Sequence, residues 1–327
     1  MNTHTLFLNF DSAVRLNDSK ISKLKSNRKA LRDKVSNYFK DNGWDTPNFY
    51  SQGSFPLKTN LNPIKKITDD GDVKEEYDLD DGVYFICPRS DRKEPSTYHD
   101  RIKKAVDDHA ESVVDKNTCV RVVYADGHHI DLPSYWVEKN GDIPQLAHKS
   151  KGYIDSDPKA FKEWVDDNIS NANSNGQLRR VIRHLKAWKN YRENKNSSLK
   201  LPSGFILTIL ACRNFSNNSR DDLAFKNTIE SIKKALDLSF TCYRPTVPTN
   251  EELLASYSKD STLEELRKLV SNAQGAIDSD CEKEASEYWR RTFGDRFPLG
   301  KENSEISTQS DSYSAIRTKV SSPWLSN

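Results

Sequence analysis

Asp78 and Asp80, one residue apart in Glu76-Tyr77-Asp78-Leu79-Asp80-Asp81-Gly82-Val83-Tyr84-Phe85, are the first residues whose types and spacing point to chemistry. In an extended strand alternate side chains share a face, so the two carboxylates project together while Leu79, Val83 and Phe85 cover a core. Carboxylates side by side repel one another, and closely spaced hard oxygens suit Mg²⁺ or Mn²⁺. Asp131, in His128-His129-Ile130-Asp131-Leu132-Pro133, is a third acid on what reads as a neighbouring strand. Three such carboxylates can hold two ions about 3.5–4 Å apart, one polarising an attacking hydroxyl and one neutralising leaving phosphates. Taken alone, Asp80-Asp81-Gly82 reads equally well as an acidic hairpin turn. Ser51-Gln52-Gly53-Ser54-Phe55 sits where a strand is expected to turn into a helix, so its N–H groups and the Ser54 hydroxyl would cradle a triphosphate. By itself a Gly-Ser pair is an ordinary turn.

The elements that must carry these residues are legible in the hydrophobic period. Residues 18–41 place Ile21, Leu24, Ala30, Leu31, Val35, Tyr38 and Phe39 at three- and four-residue steps, which predicts a long amphipathic helix ended by Asn42-Gly43. A short strand at 49–52 and a polar loop to about Glu76 follow. Alternation predicts strands at 77–87, 118–124 and 129–137, the last two joined by the turn Asp126-Gly127, in a mostly antiparallel sheet. Residues 96–115 read as a helix between strands, so the first half is α+β. Beyond Pro158, helical spacing recurs at 159–169, 176–192, 203–215, 221–236, 263–273 and 280–293. The expected organisation is a sheet lobe with an amino-terminal helix at 1–150, a helical lobe at 151–300 and a Ser-rich flexible tail at 301–327.

The 327 residues hold 50 Lys+Arg against 48 Asp+Glu, a net charge of +2, so no whole-molecule field favours nucleic acid or an anionic membrane. Five scattered cysteines without a C-x-x-C fit a reducing cytoplasm rather than a disulfide framework or zinc ribbon. The first residues lack a basic segment followed by an apolar run, and the longest apolar stretch, 205–212, is broken by Thr208 and too short for a bilayer. Secretion and membrane insertion are therefore not expected.

Gly-Ser, then D-x-D, then a third Asp strand is the order of a nucleotidyltransferase palm. Gln52-Gly53-Ser54-Phe55, Asp78-Leu79-Asp80-Asp81-Gly82 and His129-Ile130-Asp131-Leu132-Pro133 resemble the bacterial cyclic-oligonucleotide synthases, the CD-NTases, relatives of cGAS and oligoadenylate synthase, and in particular their dinucleotide cyclases. Ile154-Asp155-Ser156-Asp157-Pro158, Leu185-Lys186-Ala187-Trp188, Pro202-Ser203 and Phe293-Gly294-Asp295-Arg296 follow in the family's order.

The resemblance implies a polymerase-β-like palm sheet facing a helical lobe, with the active site between them. It implies that Asp78, Asp80 and Asp131 bind two Mg²⁺, with Mn²⁺ as a substitute, Asp131 lying nearest the acceptor hydroxyl. Gln52, Gly53 and Ser54 would hold the donor triphosphate, Lys186 and Ser203 would reach it from the helical lobe, and Arg121 resembles the family's base- or phosphate-contacting arginine. The substrates would be ATP and GTP or other nucleoside triphosphates, and the product a cyclic dinucleotide, with cyclic GMP–AMP the first candidate. In CBASS antiphage signalling, regulatory proteins and an effector that binds the product would be the partners.

Competing readings come from the same residues. Arg183, Lys186 and Lys189 also fit the solvated face of an amphipathic helix. Tyr84 and Trp188 could stack on bases, but at their spacing fit a core. His128 and His129 lack metal-ligand spacing to any cysteine and read as strand residues. The palm motif serves linear oligoadenylate or RNA-tailing transferases equally, and the basic helix 20–40 could be a nucleic-acid face on an inactive palm. No Cys/His cluster supports a zinc-based DNA sensor, and Leu325-Ser326-Asn327 departs from the small terminal residue of relatives regulated by conjugation.

Overall fold

The computed structural model describes residues 1–67, 73–139 and 141–302, with the backbone alone for 66, 67, 73 and 74. The expected tail lies outside the described residues from 303 onward. The amino-terminal half runs α1 (His4–Val14), α2 (Asp18–Asp41), β1 (Asn48–Gln52), β2 (Lys66–Ile67), β3 (Val73–Lys74), β4 (Asp78–Ile86), α3 (Pro95–Val106), β5 (Ser112–Asp115), β6 (Val120–Val123), β7 (His129–Leu132), β8 (Ser134–Val137), β9 (Gln145–His148) and β10 (Gly152–Asp155). Helices α4 (Pro158–Asn171), α5 (Gln177–Lys195), α6 (Gly204–Asn214), α7 (Asp221–Leu238), α8 (Lys259–Asp278) and α9 (Glu282–Phe293) follow.

Local chemistry explains the elements that frame the site. The Asn17 side chain accepts the Lys20 N–H to start α2, whose Leu24, Leu31, Val35 and Phe39 are buried on one stripe. Ser203 caps α6 in the same way through the Ile206 N–H, and Ile206–Cys212 is buried on every face. Residues 96–115 do not form one helix: α3 stops at Val106, and the β-branched pair Val113-Val114 pairs with β6 as an edge strand.

The main sheet is mostly antiparallel, as expected, but mixed: β4 runs parallel to both β7 and β8, and the other five pairings among the described residues are antiparallel. Its order is β10-β9-β8-β4-β7-β6-β5, with β1 antiparallel to β4. The stretch 129–137 is one extended segment interrupted at Pro133, and both of its parts run parallel to β4, with the Val83 N–H donating to the Pro133 carbonyl at 2.8 Å. Alternation is the same in parallel and antiparallel pairs, which is why the pattern could not distinguish them.

Two apolar cores result. Leu79, Val83 and Phe85 of β4 join α2, α3, β6 and β7 in the palm core, as alternation predicts. In the helical core, Leu6, Phe7, Phe10 and Val14 pack with α5, α7 and α9, so α1 belongs to the helical lobe although it precedes the palm in sequence. Phe7 meets the Trp289 ring edge-on at 4.8 Å between centroids. At the other boundary, β10 extends the palm to Asp155, beyond residue 150. All five cysteines are unpaired, and no helix among the described residues is long and apolar enough to cross a membrane.

His184 lies in this second core among Phe7, Phe10, Phe225 and Phe293, and neither ring nitrogen has a hydrogen-bond partner among the described residues. Burial pushes its pKa down to about 4, opposed by Asp11, whose carboxylate is engaged by Arg183. Between pH 4 and 6.5 the unfolded chain therefore takes up a proton that the folded chain refuses, and stability falls as pH drops through that window. His184→Leu should remove this loss, a difference of order 3 kcal/mol at the acid end. Urea unfolding at pH 7 and pH 4.5 checks it, the advantage of the variant growing toward acid.

Candidate active site

Register places the site residues in two rows across one face of the sheet. Gln52 stands opposite Asp80, Asp80 beside Asp131, and Asp131 opposite Arg121. The adjacent row sets Asp78 beside His129. Asp78, Asp80, Gly82 and Tyr84 thus share this face, while Asp81 points the other way. There Asp81 is fully buried and takes two bonds of 2.6 Å from Arg32 of α2 and one of 2.8 Å from the Ser51 hydroxyl. This neutral knot pins β1, β4 and α2 together behind the site, and within the D-x-D-D-G motif it separates one structural carboxylate from two facing the cleft.

Neither Asp78 nor Asp80 has a side-chain hydrogen-bond or ion-pair partner among the described residues. Burial, followed by the charges of Asp78 and Asp131, pushes the Asp80 carboxyl up to about 8, with Arg121 opposing. Asp131 is placed differently. Arg121 grips both of its oxygens, Nε to Oδ1 and Nη2 to Oδ2, each at 2.7 Å. Register keeps Asp78, Asp80 and Asp131 on one face, but no group of three or more acids, His or Cys among the described residues is drawn together as closely as a metal would require. The donor set still fits a hard divalent cation, because two unpaired carboxylates with unrelieved repulsion stand beside a third whose counter-ion is a side chain able to swing.

Gly53-Ser54 leads into consecutive turns over 53–58, not into a helix. The reason is local: the Thr59 N–H returns to the Ser54 carbonyl at 3.0 Å and the Lys58 N–H to Phe55, closing the loop on itself. Gly53 has φ +71°, and its α-carbon lies against Asp80, where an added β-carbon would overlap Oδ2 and stand 3.3 Å from Cγ. Turn and D-x-D strand, distant in sequence, are thus in van der Waals contact.

From the helical lobe, Lys186 donates to Thr59 Oγ1 at 2.9 Å and to the Thr59 carbonyl at 3.3 Å. Its stem crosses the start of α6, where a β-carbon on Gly204 would be 3.1 Å from its Cε. Burial lowers its pKa to about 8, against the pull of Asp78. Arg183 is buried as well, so this part of α5 is not a solvated face. Ser203, the residue before Gly204, is the α6 cap. Gln52 turns its amide to the Tyr135 hydroxyl at 3.0 Å rather than toward the turn.

Some residues set aside in the sequence belong to the site. His129 is in register with Asp78, and burial together with Arg121 lowers its pKa; its position two residues before Asp131 on a strand was the available signal. Thr59 and Tyr135 had none. His128, by contrast, is structural, stacked between Tyr77 and Tyr124 and bonded to Asn27. Trp188 is core, and Tyr84 stacks on Tyr135 at 4.7 Å.

Residues 47–135 match the family model described as cyclic GMP-AMP synthase DncV-like, nucleotidyltransferase domain. A cyclic GMP-AMP synthase of Escherichia albertii is 25% identical over 209 residues, 62% of this chain, and the match spans 45% of that relative's length. A cyclic AMP-AMP-AMP synthase of an Acinetobacter species is 23% identical over 98% of this chain and 92% of its own. The crystal structure of Vibrio cholerae DncV cyclic AMP-GMP synthase with the linear intermediate 5′ pppA(3′,5′)pG superposes with a TM-score of 0.76 at 20% identity, covering 92% of this chain and 99% of that one. The matched domain model spans the turn and all three aspartates, and the superposed structure shares the α+β nucleotidyltransferase fold of this chain across both lobes.

Proposed function

We propose that this chain joins nucleoside triphosphates with release of pyrophosphate and closes the product into a cyclic oligonucleotide. The observation that carries the reading is the contact of the Gly53 turn with Asp80 while Asp131 stands beside Asp80 in register. A donor triphosphate on the turn would have its reacting phosphorus over the carboxylate row. Asp78, Asp80 and Asp131 would hold two Mg²⁺ or Mn²⁺, which when bound would activate the acceptor hydroxyl and neutralise the departing pyrophosphate. The protein's own contribution is positioning. Gly53 lets the backbone approach, Ser54 and Lys186 bind phosphate oxygens, Ser203 adds a hydroxyl proton, and Arg121 keeps Asp131 neutralised until the substrates arrive.

Ring size and bases are the finer part of the proposal. A cyclic dinucleotide, first of all cyclic GMP–AMP from ATP and GTP, follows the likeness to the dinucleotide synthases, and a role as an antiphage second messenger read by an effector follows with it. The nucleic-acid-binding alternative is disfavoured, because Lys20, Lys23, Lys29, Arg32 and Lys34 of α2 each face an acid of the protein itself.

Purified protein incubated with four labelled nucleoside triphosphates and Mg²⁺ or Mn²⁺, then treated with phosphatase and chromatographed, is the test. A phosphatase-resistant product is expected, and omission of each nucleotide in turn names its bases. Products that phosphatase fully degrades would replace cyclisation with linear transfer.

A further inference from the structure

Arg179, Arg183 and Lys186 recur at four- and three-residue steps, so they form one row along α5. Each meets the next carbonyl of a single segment. Arg179 Nε donates to the Leu57 carbonyl at 3.0 Å, Arg183 Nη1 to Lys58 at 2.9 Å, and Lys186 to Thr59. Leu57 and Thr59 are buried while Lys58 is exposed, and the three carbonyls have no ladder partners, so an acceptor that loses its donor here is costly to the extent that it is shielded from water. Lys58 is held at φ +57°, a left-handed conformation a lysine rarely adopts, and in it the carbonyl faces Arg183.

The same segment is tied at both ends to the site. Thr59 closes the loop onto Ser54, and Asn60 Nδ2 donates to the Asp78 carbonyl at 3.1 Å. Arg183 itself is fixed from behind by Asp11 of α1 through two bonds of 2.7 Å. We infer that Arg183, seated on Asp11, is a positioning residue that sets the strap 57–60, and with it the distance between the phosphate turn and Asp78. Its catalytic meaning rests on the function proposed above, although its effect on triphosphate binding does not.

A purely structural reading makes Arg183 only the counter-ion of a buried aspartate. Arg183→Met alone would strand the Asp11 charge and unfold the lobe, whereas Asp11→Asn/Arg183→Met removes both charges together and should retain the fold. In the double variant the Lys58 carbonyl has lost its donor. Arg179→Gln is the companion, since the Arg179 side chain is 28% exposed and its loss leaves no buried charge.

Calorimetry with a nonhydrolysable nucleoside triphosphate, melting curves and steady-state KM and kcat are read on all three proteins. The double variant should melt near the parent yet bind the analogue on the order of tenfold more weakly, with kcat lower by a further factor of about 10 to 100. Arg179→Gln should move both in the same direction by a smaller factor. If the double variant does not fold, Arg179→Gln decides alone. Binding and KM equal to the parent's in the folded variants would overturn the inference. A parent protein that binds the analogue but makes no phosphodiester would instead refute the proposed function and leave the binding comparison standing.

Discussion

Asp80→Asn is expected to reduce nucleotide transfer to background while making the cation-free protein more stable. The two effects have one cause. Asp80 is held among Asp78 and Asp131 with burial against it, and its carboxyl is pushed up accordingly. An amide removes that repulsion and keeps the shape, so the melting temperature without divalent cation should rise by about 2–6 °C. The anionic oxygens proposed to hold Mg²⁺ are lost with it. Mg²⁺ at about 100 times its dissociation constant should stabilise the parent by about 2.7 kcal/mol and the variant far less. Differential scanning fluorimetry with and without Mg²⁺, beside the product assay, checks the pair of effects. A variant that loses activity and stability together, or that Mg²⁺ still stabilises as much as the parent, would deny Asp80 the role of cation ligand.

What could be read from sequence, and what could not, divides along the distance between partners. Asp78 and Asp80 share a face because a strand repeats every two residues, and helices α4 to α9 follow from apolar steps of three and four with caps such as Ser203. These are local rules. Asp81 obeys the same alternation, but that it faces Arg32 and not a metal depends on a helix 49 residues away. Likewise the pairing of Arg121 with Asp131 requires the register of β6 on β7, which a hairpin pattern suggests without fixing to the residue. The docking of α1 in the helical lobe depends on Asp11 meeting Arg183 across 172 positions. His129 is the strand residue its pattern predicts, and alternation along β7 already puts it on the face of Asp131. The helix expected at 96–115 failed where charged residues masked the change from α3 to the β-branched edge strand β5.

Gly53→Ala should abolish most activity through Asp80 rather than through the backbone, and a second glycine allows the two causes to be separated. Gly53 has φ +71° and Gly43, at the end of α2, has φ +69°, so alanine meets nearly the same left-handed strain at each, about 1–2 kcal/mol. Their surroundings differ. A β-carbon at Gly43 meets nothing within 4 Å, whereas at Gly53 it collides with the Asp80 carboxylate. Both variants should therefore lose a few degrees in melting temperature, but only Gly53→Ala should lose kcat/KM, by about 100-fold, as expected for displacement of a reacting group by about 1 Å. Gly43→Ala should retain the parent's rate. Equal losses of activity in the two would mean that backbone strain alone governs the effect, and a fully active Gly53→Ala would separate the turn from the carboxylate it touches. Under the proposed function the contact matters because only glycine lets the turn approach the Asp80 carboxylate this closely, and a donor triphosphate would have to bridge the two.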